Sequence, residues 1–293
     1  MPGEMWDRVS GQGSHPGLED VRARLLQRGT QHVEAVGLSL GINAALVEQL
    51  AREAGVTTRQ FAQVWASAEA FLADLFCELA NQARIDRADT QTLLTTWQYL
   101  GMRVDDLHSP KGRRGVLIDV IRTAAEYNFD VVTASSKWRT YAALSTTILS
   151  WPEGEARDRV LEALRASELS FVETMESFYR NVLPTVGYRL KPVFHNDYQP
   201  FVIAAASVIE GLGIVRATVP ALVEAHFEFP ADDGEHSGGD ATAEAGAATE
   251  TWSVAALSFI GVVDAFIEPD PEFVPEDAIA RLVGGVDVTP QAL

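Results

Sequence analysis

The strongest constraint on this chain is the spacing of its apolar residues, which recur every three or four positions along almost its whole length. The pattern runs through 19–40 (Val21, Leu25, Val33, Val36, Leu40), 71–79 (Phe71, Leu72, Leu75, Phe76, Leu79) and 115–121 (Val116, Leu117, Val120, Ile121). It continues through 157–183, where Val160, Leu161, Leu164, Leu169, Val172, Met175, Phe178 and Val182 recur at the same spacing. Such spacing puts the apolar side chains on one face of a helix with a period of 3.6 residues. Runs that alternate apolar and polar residues between hairpin turns are not found, so the sequence predicts an all-α fold. The Val-, Ile- and Ala-rich runs 131–135 and 200–209 sit inside longer helix-length segments.

With 293 residues, 47% apolar and 22% charged, the chain can bury a sizeable core and suits two domains. Proline punctuates it at Ser109-Pro110, Trp151-Pro152, Leu183-Pro184 and Gln199-Pro200, marking expected element boundaries. Residues 1–17 read as a disordered arm without the apolar core of a signal peptide. Residues 230–251 carry six acidic residues and no Lys or Arg, and read as a flexible acidic loop. Beyond it, 252–267 reads as a strongly apolar helix, and a short helix is expected from Pro275 to a stop at Gly284.

The single cysteine, Cys77, allows no intramolecular disulfide, and no stretch was expected to approach the roughly 18 uncharged apolar residues of a membrane span. Together these predict a soluble cytoplasmic protein. The net charge is −18. It is unevenly spread: residues 1–82 hold six arginines against ten acidic residues, −4, leaving −14 for the rest. The N-terminal part is thus nearer to neutral without being basic, which limits indiscriminate affinity for phosphate backbones.

The informative stretch is 41–76. Residues 45–53 form an amphipathic helix with Leu46, Val47 and Leu50 inward, followed by a tight Ala54-Gly55-Val56 turn in which Gly55 can take a left-handed conformation. Thr57 and Gln60 have capping-box spacing and start a second helix at once. That helix is polar outside (Thr58, Arg59, Gln60, Gln63), with Val56, Phe61 and Trp65 available to pack. Helix, glycine turn and capped polar helix form the pattern of a helix-turn-helix.

Here the chain resembles the TetR family of transcriptional regulators. The resemblance runs over Gly41, Leu50-Ala51, Ala54-Gly55-Val56-Thr57, Phe61, Trp65, Ser67, Glu69 and Leu72, and covers roughly the first 80 residues. It implies a three-helix DNA-binding domain over 18–66 and a larger antiparallel helical bundle over 67–293 that binds a small-molecule effector and dimerises. The residues expected on operator DNA are Thr57, Thr58, Arg59, Gln60 and Gln63. The chain departs from the family at Ala62 and Ala68, where a tyrosine and a lysine commonly touch phosphate; Arg22, Arg24 and Arg52 are the nearby cations that can compensate. A helical dimer that keeps the fold and has lost DNA therefore stays open as the alternative.

Two apolar segments rich in small residues, 200–217 and 252–267, are expected to pair two copies into a homodimer, a role the resemblance shares. Aromatic residues concentrate in 97–179, and Trp138, Tyr141, Met175, Phe178 and Tyr179 are the residues expected to bind the effector. No metal or cofactor pattern is found: the six histidines are scattered, with no two at ligand spacing. Phe194-His195-Asn196-Asp197 resembles the catalytic loop of small-molecule phosphotransferases, but Val202 stands where magnesium-holding asparagine belongs and no glycine-rich phosphate loop lies upstream. It reads as a turn in which Asn196 or Asp197 caps the next helix. No enzyme activity is expected.

Overall fold

The computed structural model describes residues 17–38, 44–86, 90–230 and 249–283. The N-terminal arm up to residue 16, Gly41, Leu40, the acidic segment 231–248 and the stop at Gly284 lie outside the described residues. The chain is predominantly helical. Its helices in order are α1 (Leu18–Val36), α2 (Ala44–Glu53), α3 (Thr58–Val64), α4 (Ala68–Asp86), α5 (Thr90–Met102), α6 (Pro110–Ala134), α7 (Ser136–Ile148) and α8 (Glu155–Thr185). They continue with α9 (Gln199–Arg216), α10 (Pro220–Val223), α11 (Val254–Phe266) and α12 (Pro275–Val283).

Their ends follow from local chemistry. Gly37 takes a φ of 81° just past α1 and stops it there, short of the expected residue 40. Ser109 accepts a hydrogen bond from the Gly112 amide and Pro110 opens α6, where its missing N–H costs nothing. Pro184 lies inside the last turn of α8, so the boundary expected before it falls after Thr185.

The all-α expectation holds, with a few short strands added to it. Among the described residues, β1 (Tyr188–Leu190) pairs antiparallel with β4 (Ile267–Pro269), and β2 (His226–Pro230) pairs antiparallel with β3 (Thr249–Ser253). The strands are three to five residues long and their partners are distant in sequence, so neither a hairpin turn nor a sustained alternation announces them. The second ribbon changes two boundaries: 249–251 belong to a strand rather than to the loop, and the apolar helix starts at Val254. Ser253, expected inside that helix, is its cap and accepts from the Ala256 amide at 3.2 Å.

Two large apolar cores share α8. The first gathers α1–α4 and α7 around Leu25, Leu50, Phe71 and Leu75, and takes Val160 and Leu164 from the first half of α8. The second gathers α5, α6, α9 and α11, and takes Val172, Phe178, Val182 and Leu183 from the second half. At 31 residues, α8 is roughly 46 Å long and runs through both. Helix α9 approaches the junction of α6 and α7 at Gly213, where a Cβ would meet the Trp138 ring at 2.6 Å and the Thr133 methyl at 2.7 Å. Only a glycine lets these helices lie so close.

By length and composition α9 is apolar enough to cross a membrane, with a mean hydropathy of 1.3, and it includes the charged residues Glu210 and Arg216. Its inner face buries Phe201, Val202 and Ala205 against the second core and Ile209 in a smaller cluster with Phe129, Val223 and Ala255, and Ile203, Ile214 and Val215 are exposed on the outside.

Candidate functional site

Two places combine exposed or unpaired polar groups with a framework that holds them. The first is the α2–α3 unit. Gly55 adopts a φ of 67° in the turn, Val56 is buried, and the Val56 amide donates to the Ala51 carbonyl at 2.8 Å. The capping box forms as read. Thr57 Oγ1 accepts from the Gln60 amide at 3.3 Å, while the Thr57 amide and hydroxyl both donate to Gln60 Oε1 at 2.9 and 2.8 Å. Thr57→Ala is expected to lower stability by about 1 kcal/mol, read as a reduced urea midpoint with an unchanged denaturant slope.

This geometry divides the five residues expected on DNA. Thr57 and Gln60 are occupied with each other. Thr58, Arg59 and Gln63 are exposed, and their side chains make no hydrogen bond or ion pair among the described residues. On the other side of α3, Phe61 lies 5.3 Å from the Trp65 ring and 6.1 Å from Phe71, and Trp65 meets Phe71 edge-on at 5.1 Å. This aromatic trio seats α3 on α1 and α4. Ser67 accepts from the Ala70 amide at 3.1 Å and starts α4.

Sequence reasoning missed the group that locks this unit to the rest of the chain. Asp74 on α4 is buried and receives Arg22 of α1 at 2.9 and 3.2 Å, the Trp65 indole N–H at 3.0 Å, and Arg159 of α8. Burial pushes its carboxyl upward, but the donors from Arg159, Trp65 and Arg22 together outweigh that and hold it below the usual carboxylate value. Arg22 is therefore committed to Asp74, and Arg28 is paired with Glu53 at 2.5 Å. Nothing short in the sequence signals these ties, whose partners lie 52 and 85 positions from Asp74.

The second place is a cavity of about 430 Å³ between α5, α6, α7, α8, α9 and α11, of the size that holds a drug-sized molecule. Four of the five residues expected on an effector, Trp138, Met175, Phe178 and Tyr179, line it. Tyr141 does not: its ring packs in the first core and its hydroxyl donates to Glu168 at 2.6 Å. One helical turn separates Tyr141 from Trp138, and the spacing could not tell which core each would face.

Most of the wall is aliphatic and comes from segments that sequence reasoning did not nominate, including Leu93, Leu117, Ile121 and Val202. Its polar groups are few. The Tyr179 phenol is nine-tenths buried and makes no hydrogen bond among the described residues; burial alone raises its pKa well above the usual value. The half-buried Asn128 side chain likewise makes none among the described residues. Lys137 and Glu210 also line the cavity.

The phosphotransferase-like segment forms a turn, with His195 and Asn196 both in the left-handed region and Asp197 accepting from the Gln199 amide at 3.0 Å to start α9. Among the described residues no three His, Cys, Asp or Glu side chains group into a metal site. No family model matches this chain, and no curated protein or solved structure matches it either.

Proposed function

We propose that the protein is a TetR-like transcriptional regulator that lays α3 against operator DNA as a homodimer and responds to a small molecule held in the central cavity. The observation that carries the reading is the two-sidedness of α3. Its apolar side is pinned by the Phe61–Trp65–Phe71 trio, and Thr58, Arg59 and Gln63 are left exposed without side-chain partners among the described residues. A short capped helix with unpaired polar groups on its outer side suits insertion into a major groove, where arginine can meet guanine and glutamine can meet adenine. Exposed Ile203, Ile214 and Val215 on α9, which packs against α11, support pairing of two copies through 200–217 and 252–267.

The test is a gel shift with the promoter region beside the encoding gene. A footprint with twofold symmetry and binding that weakens steeply with salt are expected. Arg59→Ala combined with Gln63→Ala should weaken binding at least a hundredfold while the circular dichroism and thermal midpoint stay unchanged. Retained binding in that variant would remove α3 as the reading helix.

A second reading is favoured by the exposed Ala62 and by the commitment of Arg22 and Arg28 to carboxylates, which leaves few cations for phosphate. In it the protein is a ligand-binding or protein-interaction dimer that has lost DNA. Absence of any shift at low salt, with the dimer intact in sedimentation, would select it.

A further inference from the structure

The central cavity is graded along its length. Gly187, just past the end of α8, sits against Arg113 near the start of α6, so these two helices run in opposite directions. Gly213 and Arg216, late in α9, meet Thr133 at the end of α6, so those two run in the same direction. The α6 lining residues extend from Leu117 to Val132, roughly 22 Å. At the Val132 end the wall carries Asn128, Ser135, Lys137 and Glu210; at the Leu117 end it carries Leu100, Leu183, Val186 and Phe201.

Charge is balanced at the polar end, where Lys137 and Glu210 are of opposite sign, and among the described residues lining the cavity no other side chain is charged. An ion carried past the exposed Lys137 and half-buried Glu210 into the apolar part of this space would be stripped of water with no counter-charge to receive it. Among the described residues the lining groups without a hydrogen-bond partner include the Trp138 indole N–H, the Tyr179 hydroxyl and the Asn128 amide; all are uncharged, and the raised Tyr179 value keeps its hydroxyl a neutral donor. A buried hydroxyl without a partner is favourable only once something brings it an acceptor.

We propose that the cavity takes an elongated, uncharged, mostly apolar molecule whose oxygen function answers Asn128 at the Val132 end, whose body passes Tyr179 on the wall beside Phe201, and whose apolar tail extends toward Leu117 and Val186. This rests on the ligand-sensing half of the proposed function and is independent of DNA binding.

The experiment uses the full chain and the neutral dye N-phenyl-1-naphthylamine, whose fluorescence rises in apolar surroundings. Decan-1-ol, decanoate and decylammonium, equal in chain length and different in head charge, then compete for it. Decan-1-ol is expected to displace the dye at a concentration at least tenfold lower than either ion. In Asn128→Leu/Tyr179→Phe the dye should still bind while displacement by decan-1-ol weakens at least tenfold. Ala205→Phe, or Ala206→Phe if the first does not fold by circular dichroism, fills the cavity and should abolish dye binding. Equal or better displacement by either ion overturns the proposed ligand class and leaves the cavity as a sensing site. Dye binding that ignores the filled cavity overturns the site itself, and the sensing half of the proposed function with it.

Discussion

Asp74→Ala is expected to destabilise the protein by about 2–4 kcal/mol, because three donors converge on one buried carboxylate. The largest share falls on Trp65, whose indole N–H is buried and loses its acceptor. Arg22 and Arg159 are nearly half exposed and regain water when the carboxylate is gone, which limits their share. The interaction also predicts a pH dependence. The folded value of Asp74 lies below the ordinary 3.8, so its contribution is complete above that value and is lost as pH falls through the lower folded value. Urea midpoints measured from pH 7 down into the acid range should therefore fall more steeply for the parent than for Asp74→Asn. Parallel curves for the two proteins would contradict the network as drawn.

Phe71→Ala should cost about 3–5 kcal/mol, the usual range for emptying a fully buried phenylalanine site. Phe71 is the hub of the aromatic trio, and its loss also removes the surface on which Phe61 holds α3. Phe71→Leu keeps most of the volume and should cost far less. The check is a pair of thermal or urea curves, with near-ultraviolet dichroism reporting Trp65. Since domains of this kind have net stabilities of about 5–15 kcal/mol, the alanine variant sits near the limit of folding.

What could be read from the sequence was whatever depends on neighbours within a turn or two. The Thr57–Gln60 box, the Gly55 bend, the boundary at Ser109-Pro110 and the helical stripes are all set by residues within a few positions of each other. The short strands escaped because Tyr188–Leu190 and Ile267–Pro269 become strands only by meeting each other across some eighty residues. Asp74 escaped for the same reason: on α4 it looks like one acidic residue among many until α1 and α8 close over it.

The cavity was legible only in part. Helical spacing nominated the aromatic residues of α7 and α8, and four of the five reached the cavity wall. The same spacing could not assign Tyr141 to the other core, nor show that α5, α6 and α9 would supply most of the aliphatic wall. Which residues surround a void is decided by how helices cross, and Gly213 shows how little sequence such a decision needs. The absence of a Cβ there brings α9 onto Trp138 and so fixes one end of the chamber.

The continuity of α8 has a consequence for how the protein can be altered. One stiff rod contributes Arg159, Val160 and Leu164 at one end and Phe171, Phe178 and Leu183 at the other, with no joint between them. A head exchanged at residue 66 for one of different origin would arrive without the surface that α8 and Asp74 were shaped to grip. Exchanging the N-terminal helices of this protein therefore requires grafting the front half of α8 together with α1–α4, and the two ends of the molecule are bound to change in step.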